Sequence, residues 1–410
     1  MKTTTSLAGS WLQRPAHLAW LADEGMRLLS FARASRVDQG FAALDASGCL
    51  PTNACAELIH TTRMTHCFAL AHIQGIAGYA ELVDHGVAAL HGALHDGESG
   101  GWFADATRQG DKSAYLHAFV ALAASSAVVA GRPAAPALLD EAIAVLETHF
   151  WSEEEGALRE SLSRDWQEEE RYRGANSNMH ATEAFLALAD ATGDSIWLLR
   201  ALRIAERLIK GHAAASGYVV VEHFDQDWRA LPDYNEADRA DPFRPYGSTP
   251  GHSFEWARLL LHLEAALQRA GLAAPGWLLA DACGLFASAS RGAWHADGAP
   301  GLIYTLDWSS RPVVRSRLHW VHAEAIAAAA ALFRRTGESV YEEWYRRLWE
   351  FTASHFIDLR NGSWHHELDH DNQPAGSIWP GKPDLYHAYQ AVLLPRLPLA
   401  PSLATGLAAV

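Results

Sequence analysis

Apolar residues, chiefly alanine and leucine, recur every three or four positions along most of the chain, with polar residues between them. This spacing places the apolar side chains on one face of an α-helix. The pattern therefore predicts an all-α protein of about twelve helices. They are expected over residues 16–34, 57–80, 82–94, 114–130, 136–149, 179–192, 195–212, 251–270, 276–289, 319–336, 339–356 and 384–394.

Short aromatic stretches that contain glycine separate the pairs of helices. Glycine between periodic segments is typical of turns, and aromatic or β-branched neighbours favour short strands. Each stretch is expected to form a turn or a short β-hairpin in a connecting loop. The stretches read "GALHDGESGGWFAD", "ETHFWSEEEGALRES", "ASGYVVVEHFDQDW", "RGAWHADGAPGLIYTLDW" and "HFIDLRNGSWHHELD".

The helix pairs form an internal repeat. The first helix of each pair opens with a polar or aromatic residue, and successive anchor residues lie 54 to 72 positions apart. No linker rich in proline, glycine or serine divides the chain, so residues 1–410 are expected to form a single domain. A closed ring of six pairs, an (α/α)6 barrel, buries every helix, whereas an open stack needs polar end caps. The anchors, expected to converge at one mouth of the ring, are Arg63, His117, His180, His252, Trp320 with Glu324, and His387.

The segment "YGSTPGHSFEW" predicts how one of these helices begins. Thr249 is suited to the N-cap and Pro250 to the first helical position. His252 then lies near the third position, and Glu255, three residues later, shares its helix face. Taken alone, the pair also fits a capped helix that carries a hydrogen-bonded core histidine.

Two further helix starts carry a histidine. In "GANSNMHATEA", Asn176 or Asn178 is predicted to be the N-cap, with His180 just inside the helix. The corresponding residues of "GKPDLYHAY" are Pro383 near the first helical position, Asp384 in the first turn, and His387.

Three histidines at one phase of a repeat indicate a site. The positive end of a helix disfavours imidazolium, so the neutral ring is favoured, and a general base must be neutral to accept a proton. Arg63 and Glu324 occupy the equivalent phase. A guanidinium and carboxylates fit a polyhydroxylated or anionic ligand.

Composition narrows the choice of ligand and compartment. The net charge of −15 argues against nucleic acid or an anionic membrane as a partner, and no run of 18 apolar residues could span a bilayer. The chain has 22 histidines and 16 tryptophans, and side chains of these two types are common around sugar-binding sites. The N-terminal segment "MKTTTSLAGSWLQRPAHLAW" lacks a signal-peptide apolar region, which predicts a cytoplasmic protein. Thiols in a reducing compartment account for Cys49, Cys55, Cys67 and Cys283, which show no disulfide spacing.

Familiar catalytic motifs are absent or out of context. "HELDH", from His366 to His370, matches the HExxH zinc motif, but this motif binds zinc only on a helix, and here it lies in a predicted hairpin. The sequence contains no Walker loop, no GxGxxG and no G-x-S-x-G elbow, and it shows no clustered carboxylates. Neither a metal nor a cofactor is predicted.

Six segments of the chain resemble a known protein family. "TTRMTHCFALA", "ANSNMHATEAF", "FRPYGSTPGHSFEWARLLLHL", "GLIYTLDW", "YEEWYRRLWEF" and "PDLYHAYQAVLLPRLP" are similar to the N-acylglucosamine 2-epimerase superfamily, and most similar to its branch of mannose and sulfoquinovose isomerases. The similarity extends from about residue 10 to residue 400. It implies an (α/α)6 barrel and a metal-free sugar isomerisation through a cis-enediol, interconverting D-mannose and D-fructose.

The resemblance also assigns roles to residues. His252 matches the histidine of ring opening and acid–base work, and His387 matches the one that moves a proton between C1 and C2. The positions that match sugar-binding residues are Arg63, Asn176, His180, Arg244, Glu255, Trp320, Glu324 and Asp384.

The chain departs from the sulfoquinovose branch at two places. Pro383 stands where that branch often has glutamine, and "DPFRPYG" offers Arg244 as its one cation, beside Asp241. These differences favour a mannose isomerase, with a sulfo-sugar isomerase as an alternative. Three further alternatives are a 2-epimerase of N-acylglucosamine or cellobiose type, a glycosidase that uses Glu255 and Glu324, and a helical-repeat binding module without catalytic activity. The expected ligand is a small-molecule sugar, and the sequence is compatible with a homo-oligomer.

Overall fold

The computed structural model describes residues 9–410, and the segment examined for a signal sequence lies partly outside the described residues. Twelve helices form two concentric rings. The inner ring consists of α2 (Leu58–Ile73), α4 (Ala114–Val129), α6 (Ala175–Thr192), α8 (Pro250–Arg269), α10 (His319–Thr336) and α12 (Tyr386–Leu393). The outer ring consists of α1 (Pro15–Ala32), α3 (Ala80–His91), α5 (Ala135–Val145), α7 (Ile196–Ala205), α9 (Trp277–Ala293) and α11 (Ser339–His355).

The inner ring is closed, because each inner helix packs against the next and α12 packs against α2. Each outer helix covers an inner one: α1 packs on α12, α3 on α2, α5 on α4, α7 on α6, α9 on α8 and α11 on α10. This arrangement is the predicted (α/α)6 barrel. A thirteenth helix, α13 (Leu403–Ala408), packs against α2, α4 and α6.

Short antiparallel strands lie in the loops at one end of the barrel, as predicted for the aromatic stretches. The strand pairs are β1 (Arg36–Val37) with β2 (Gly40–Phe41), β3 (Lys112–Ser113) with β6 (Ser161–Leu162), β4 (Trp151–Ser152) with β5 (Ala157–Leu158), β7 (Tyr172–Gly174) with β8 (His223–Asp225), β9 (Thr305–Leu306) with β10 (Pro312–Val314), and β11 (Arg317–Leu318) with β12 (Glu367–Leu368), which also pairs with β13 (Pro374–Ala375). "HELDH" spans β12, so its predicted hairpin is confirmed.

Inner helices are buried on nearly all sides, and their sequences show why. In α10, residues 325–333 read AIAAAAALF, and all nine are buried. A helix that is apolar all round is suited to the centre of a large domain. Alanine side chains are small, so neighbouring helices can approach closely, and the larger leucine and aromatic residues fill the space between the rings.

Most predicted helix boundaries are confirmed to within three residues, and π-helical turns continue α5 and α7 to Phe150 and Ala213. Two predicted helix ends are wrong, because α2 ends at Ile73 and not at residue 80, and α9 ends at Ala293 and not at residue 289. Two predicted helix starts are also wrong. Helix α10 spans the predicted 319–336, and α8 begins at Pro250 with Thr249 as its N-cap. Helix α6 begins at Ala175 with Gly174 as its N-cap, so neither predicted asparagine caps it. Residues 175–178 continue the helix because the asparagine side chains face a loop and a cavity instead of the helix end.

Helix α12 also begins later than predicted, at Tyr386. Pro383 and Asp384 therefore precede the helix instead of forming its first turn. Asp384 still contributes to this helix start, because its Oδ1 accepts a hydrogen bond from the backbone N–H of Tyr386 at 3.0 Å. The extended backbone before the helix carries the Asp384 carboxylate into the barrel.

A buried cation in front of four inner helices ties the helix start to the preceding loop. An ion pair of this kind costs desolvation, so it is found where both partners are hydrogen-bonded in a fixed geometry. Each cation is almost fully buried, and the four pairs hold the loops at the same end of the barrel. They are Lys112–Asp96 at 3.0 Å, Arg173–Glu155 at 2.8 Å, Arg317–Asp297 at 2.7 Å and Lys382–Asp358 at 2.6 Å.

Two general features of the chain can be stated for residues 9–410. No helix in this range is both long and apolar enough to cross a membrane. All four cysteines fall within it, and none of them forms a disulfide.

Candidate active site

A cleft lies at the mouth of the barrel where the inner helices begin. It encloses about 500 Å³, part of it open to solvent, which is within the usual range for a small-molecule site. Eight of the ten predicted site residues line it: Arg63, Asn176, His180, His252, Glu255, Trp320, Asp384 and His387.

Position within the inner helix decides which side chains reach the barrel axis. Helix α2 begins at Leu58, so Arg63 is its sixth residue, and the sixth residues of the next helices lie beside it in a layer across the barrel. Arg63 stacks on Phe119, whose ring lies 4.7 Å from that of His180. His180 approaches Glu255 at 3.7 Å. The layer of sixth residues comprises Arg63, Phe119, His180, Glu255 and Glu324.

The fourth residue of an inner helix points the opposite way, since two residues turn the helix by about 200°. In four helices this residue accepts a hydrogen bond from a loop backbone N–H. His117 is one of them, so the prediction that it belongs to the mouth of the barrel is wrong. The pairs are Thr61 with Phe41 at 3.0 Å, His117 with Trp102 at 3.2 Å, Asn178 with Leu158 at 2.8 Å and His322 with Leu302 at 3.0 Å.

His252 is held by a carboxylate behind it. Its Nδ1 lies 2.9 Å from Oε2 of Glu222, which is 3% exposed. The carboxyl group takes the hydrogen bond on Nδ1, which leaves Nε2 as the ring nitrogen that faces a ligand. Sequence reasoning missed Glu222. Its signal is a single charged residue in the apolar run "YVVVEHF".

His387 has the same arrangement with Glu324. Its Nδ1 lies 2.8 Å from Oε1 of Glu324, and its ring packs 5.8 Å from that of Trp320. Burial lowers the pKa of His387, although the Glu324 carboxylate acts in the opposite direction. The ring is therefore neutral near pH 7. Glu324 lies behind His387 and not on the cleft surface, which differs from its predicted place at the sugar.

Arg63 is fixed on every side. Its two terminal nitrogens donate to Oδ2 of Asp384 at 3.0 Å and to the Tyr115 hydroxyl at 2.9 Å. Its plane lies between the rings of Phe119 and Tyr386, at 4.6 and 4.8 Å. Burial would raise the pKa of Asp384, but the Arg63 guanidinium reverses this effect and holds the pKa well below its usual range.

Several buried polar atoms on the cleft wall have no hydrogen-bond partner among the described residues. A buried polar atom without a partner is costly, so such atoms mark places where a ligand can bind. Their mixture of donors and acceptors is suited to a ligand with several hydroxyl groups. The atoms are Arg63 Nε, Asn176 Oδ1, His180 Nδ1, Glu255 Oε2 and His319 Nε2.

The two carboxyl groups Glu255 and Glu324 lie in one buried cluster but differ in protonation. Burial and the nearby Glu324 charge raise the pKa of Glu255 well above its usual value. The pKa of Glu324 is lowered instead, because Arg258 and His387 outweigh its burial. A neutral Glu255 can donate a hydrogen bond into the cleft, while an ionised Glu324 accepts one from His387.

Sequence reasoning missed several other residues of the wall. His319 and His366 stack at 3.8 Å, and burial lowers the pKa of both, for His366 to about 3. Aromatic side chains complete the wall: Tyr115, Phe243 and Trp379. Distant segments supply these residues, so no local pattern could have grouped them.

Arg244 lies outside the cleft, in an adjoining cavity that shares Tyr115, Asn176 and Phe243 with it. Its guanidinium forms two hydrogen bonds to Glu170, at 2.7 and 3.0 Å. The expected side-chain neighbour Asp241 instead accepts from the Arg244 backbone N–H at 2.7 Å.

Carboxylates do cluster beneath the cleft, contrary to the sequence expectation. Two sets of side chains have ligand atoms within 4.8 Å of one another: His180 with Glu183 and Glu255, and Glu255 with Glu324 and His387. Arg258 lies among these carboxylates, 2.9 Å from Glu324, and supplies the positive charge that a metal ion would otherwise bring. The "HELDH" histidines diverge, since His366 lines the cleft and the side chain of His370 is 64% exposed.

Known proteins share this architecture and much of the sequence. A family profile described as N-acylglucosamine 2-epimerase (GlcNAc 2-epimerase) matches residues 40–391. A D-mannose isomerase of Pseudomonas cannabina pv. alisalensis is 64% identical over 402 residues, which is 97% of each chain. A D-mannose isomerase of Thermobifida fusca is 55% identical over 408 residues, covering 98% of this chain and 99% of that protein. The crystal structure of a D-mannose isomerase superposes with a TM-score of 0.85 at 31% identity, covering 93% of this chain and 99% of the other.

Proposed function

This chain belongs to the N-acylglucosamine 2-epimerase family, and we propose that it is an aldose–ketose isomerase that interconverts D-mannose and D-fructose. One observation carries the proposal: two imidazoles, each oriented by a buried carboxylate, line one cleft of unpaired polar groups and aromatic rings. The D-mannose isomerases, which match nearly the full chain at 64% and 55% identity, support the choice of sugar.

In this proposal His387 is the base that moves the proton between carbons. The C2 hydrogen of an open-chain aldose is weakly acidic, and its removal leaves a cis-enediolate. His387 is neutral near pH 7 and accepts the proton on Nε2, because Glu324 holds Nδ1. The imidazolium then returns the proton to C1, while the proton of the O2 hydroxyl passes to O1, and the two transfers together convert the aldose into the ketose. Glu324 stabilises the charge on the ring between these steps.

His252 handles the oxygen protons. Mannose in solution is mostly a closed ring, so the enzyme must move a proton between O1 and O5 to open it. His252 can do this through Nε2, because its Nδ1 is held by Glu222. The rings of His252 and His387 both pack against Trp320, at 5.2 and 5.8 Å, so one sugar can reach both histidines.

Charge that develops on O1 and O2 needs donors that are already in place. Arg63 lines the cleft in a rigid setting, and the protonated Glu255 is a second donor. Preorganised donors of this kind contribute about 3–4 kcal/mol each to the transition state. Asn176 and His180 are assigned to the sugar hydroxyls, and Trp320 to the apolar face of the sugar.

The alternatives use the same residues differently. A 2-epimerase would need a second proton donor on the opposite face of C2. A glycosidase needs two carboxyl groups that flank the scissile bond. Glu255 and Glu324 do not flank the cleft, because both contact Arg258 and Glu324 lies behind His387. The aldose–ketose reaction is therefore preferred.

Three broader features complete the proposal. The 410 residues act as one domain, the protein is cytoplasmic, and the reaction needs no metal ion, since Arg258 and the preorganised donors supply the positive charge. The substrate is a small free sugar, and no nucleic acid or membrane takes part.

Product analysis tests the proposed function. The purified protein is incubated with D-mannose, and the sugars are separated by chromatography, with the His387→Asn variant as a matched control. We expect fructose with the parent protein and none above background with the variant. Glucose as the first product would support a 2-epimerase, and unchanged mannose would support a glycosidase or a binding module.

A further inference from the structure

Beneath the cleft, three buried carboxyl groups share a single guanidinium. Arg258 is 2% exposed and lies 2.9 Å from Glu324, 3.4 Å from Glu183 and 3.5 Å from Glu255. Within residues 9–410, no other lysine or arginine forms an ion pair with these three carboxyl groups. The proposed function so far uses only the positive charge of this side chain and gives it no part in orienting the base.

Glu324 connects Arg258 to the base. Its Oε1 accepts from His387 Nδ1 at 2.8 Å, while its Oε2 accepts from Nε of Arg258 at 2.9 Å. The terminal torsion of a glutamate is broad and easily turned, so a carboxylate held through one oxygen alone can rotate. Holding both oxygens fixes its plane, and the plane of the carboxylate fixes the ring that donates to it.

Arg258 cannot touch the sugar. Glu255 and Arg258 are three residues apart on α8 and share a helix face, but Arg258 lies one turn deeper in the barrel. Glu255 lines the cleft, whereas Arg258 lines a separate cavity between the inner helices and the segment 399–404. Any effect of Arg258 on the reaction must therefore pass through the side chains above it.

From this geometry we infer that Arg258 is a positioning residue for the isomerisation, which fixes Glu324 and through it keeps His387 with Nε2 facing the sugar. The inference rests on the proposed function for its kinetic part alone. A merely structural Arg258 would neutralise the buried carboxyl groups and stabilise the fold, without setting the orientation or the protonation of His387.

The surroundings of His387 decide the direction of the expected pH effect. The charged and titratable groups near it are Glu324 and His319 from α10, Glu255 and Arg258 from α8, Arg63 from α2, His180 from α6, Tyr386 beside it on α12, and Asp384 and His366 from the loops. Without Arg258, the charge of Glu324 is less neutralised and stabilises the imidazolium more. The pKa of His387 should then rise, and the neutral base should be lost at higher pH.

The test compares Arg258→Met with the parent protein. The variant should lower kcat for D-mannose about 10–100-fold, as loss of an outer-shell partner does at other sites, with KM changed less than threefold. The acid limb of the profile of kcat against pH should move up by about one unit, the lower end of what a neighbouring charge does. A kcat and an acid limb like those of the parent would overturn the inference, and so would a raised KM with an unchanged kcat.

Arg335→Met is the matched control. Arg335 lies on α10 and binds a glutamate of α8, Glu264, at 2.7 Å, whereas Arg258 lies on α8 and binds a glutamate of α10. It therefore joins the same two helices away from the cleft. Its loss should leave kcat, KM and the acid limb unchanged. A shift like that of Arg258→Met would mean that helix packing, and not the link to His387, controls the rate.

Two measurements keep the test decisive. If Arg258→Met does not fold, Arg258→Lys replaces it: the charge stays, but the planar fork is lost, so we expect a kcat about tenfold lower with an unmoved acid limb. A kcat like that of the parent would overturn the inference. The titration of His387 by NMR of histidine-labelled protein, assigned with His387→Asn, needs no substrate. It should move to higher pH in Arg258→Met even if the parent protein makes no fructose, and an unmoved titration would contradict the inference.

Discussion

At the scale of single residues, His252 and His387 obey one rule: a buried carboxylate takes Nδ1 and leaves Nε2 for the ligand. The carboxylates come from different elements, Glu222 from the segment before β8 and Glu324 from α10. A histidine held in this way has a single tautomer and a fixed ring plane before the sugar arrives. Orienting the base therefore adds no free energy to the reaction barrier.

Replacing either histidine should remove catalysis and keep the fold. We expect His387→Asn and His252→Asn each to lower kcat about 10²–10⁴-fold, the usual contribution of a general acid or base. His355→Asn, at the end of α11, is the control and should retain the parent rate. Steady-state kinetics and circular dichroism check both points, and turnover at the parent rate in either catalytic variant would contradict its assigned role.

The pH dependence follows from the direction of the His387 pKa. Burial lowers this pKa and Glu324 partly restores it, so the acid limb of kcat/KM should lie below the ordinary histidine value of about 6.5. The rate should be constant near pH 7 and fall on acidification, since imidazolium cannot accept the C2 proton. Glu324→Gln removes the anion that raises the pKa, so its acid limb should move lower. A limb above pH 7 in the parent, or one that moves up in Glu324→Gln, would contradict this account.

At the scale of elements, four inner helices, α2, α4, α6 and α10, use residues two positions apart for different purposes. The fourth residue holds a loop and the sixth points to the barrel axis, because about 200° of rotation separates them. Helix α6 offers a direct comparison. Its fourth residue, Asn178, accepts from Leu158 N–H at 2.8 Å, whereas Asn176 lines the cleft with an Oδ1 that has no partner among the described residues.

Two alanine substitutions in α6 should therefore act in opposite ways. Asn178→Ala leaves the buried Leu158 N–H without a partner and should lower the free energy of unfolding by about 1–3 kcal/mol with little change in KM. Asn176→Ala should leave stability unchanged and raise KM for D-mannose about 2–12-fold, the loss of one neutral hydrogen bond. Urea denaturation and kinetics on both variants separate the effects. The same changes in the free energy of unfolding and in KM for both variants would contradict the different roles assigned to Asn176 and Asn178.

Local sequence was sufficient for some elements and not for others. Pro250 begins α8 as predicted, because the fixed φ of proline is a local effect. Thr249 occupies the predicted N-cap position, but its side chain makes no hydrogen bond to the helix. Asn176 and Asn178 were predicted as N-caps of α6, but Gly174 is the N-cap. The Asn178 side chain binds a distant loop and the Asn176 side chain lines the cleft. The role of Arg258 could not be predicted for a related reason, because two of its three carboxyl partners lie 66 and 75 residues away in the sequence.

The repeat could be predicted because the anchor residues recur at similar spacing along the chain. Spacing alone gave a wrong position for His117. Its spacing matches the other anchors, while its ring holds the Trp102 loop. His117 is the fourth residue of α4 and faces a loop, whereas His180 is the sixth residue of α6 and faces the cleft. That difference appears only when the helix start is known, and strand pairs such as β3 with β6 set it.

At the scale of the whole molecule, the barrel gathers acidic groups and few cations around its cleft. Among the described residues that line the cleft, Arg63 is the one arginine or lysine, and in the proposed function it serves O1 and O2 at the reacting end of the sugar. Arg244 is turned into the adjoining cavity and paired with Glu170. A permanent anion on C6 of the sugar would lose its hydration without gaining a cation.

The enzyme should therefore prefer D-mannose to sulfoquinovose. Comparing kcat/KM for both sugars under one set of conditions tests this, and D-glucose, which has the ring configuration of sulfoquinovose without the sulfonate, separates the effect of charge from that of C2. We expect sulfoquinovose to be the poorest of the three. A tenfold preference for it, about 1.4 kcal/mol in transition-state binding, would place the chain with the sulfo-sugar isomerases.

The most direct test of the central claim is isotope exchange, followed by NMR, during turnover of D-mannose in D₂O after prolonged chelation of metal ions. Proton transfer through an enediol by a solvent-exchanging imidazole predicts fructose with deuterium at C1 and, at equilibrium, remaining mannose with deuterium at C2. The rate should match that of the protein without chelator. Fructose that stays free of deuterium at C1 throughout, deuterated glucose in place of fructose, or activity that returns only when zinc or manganese is added would contradict the account.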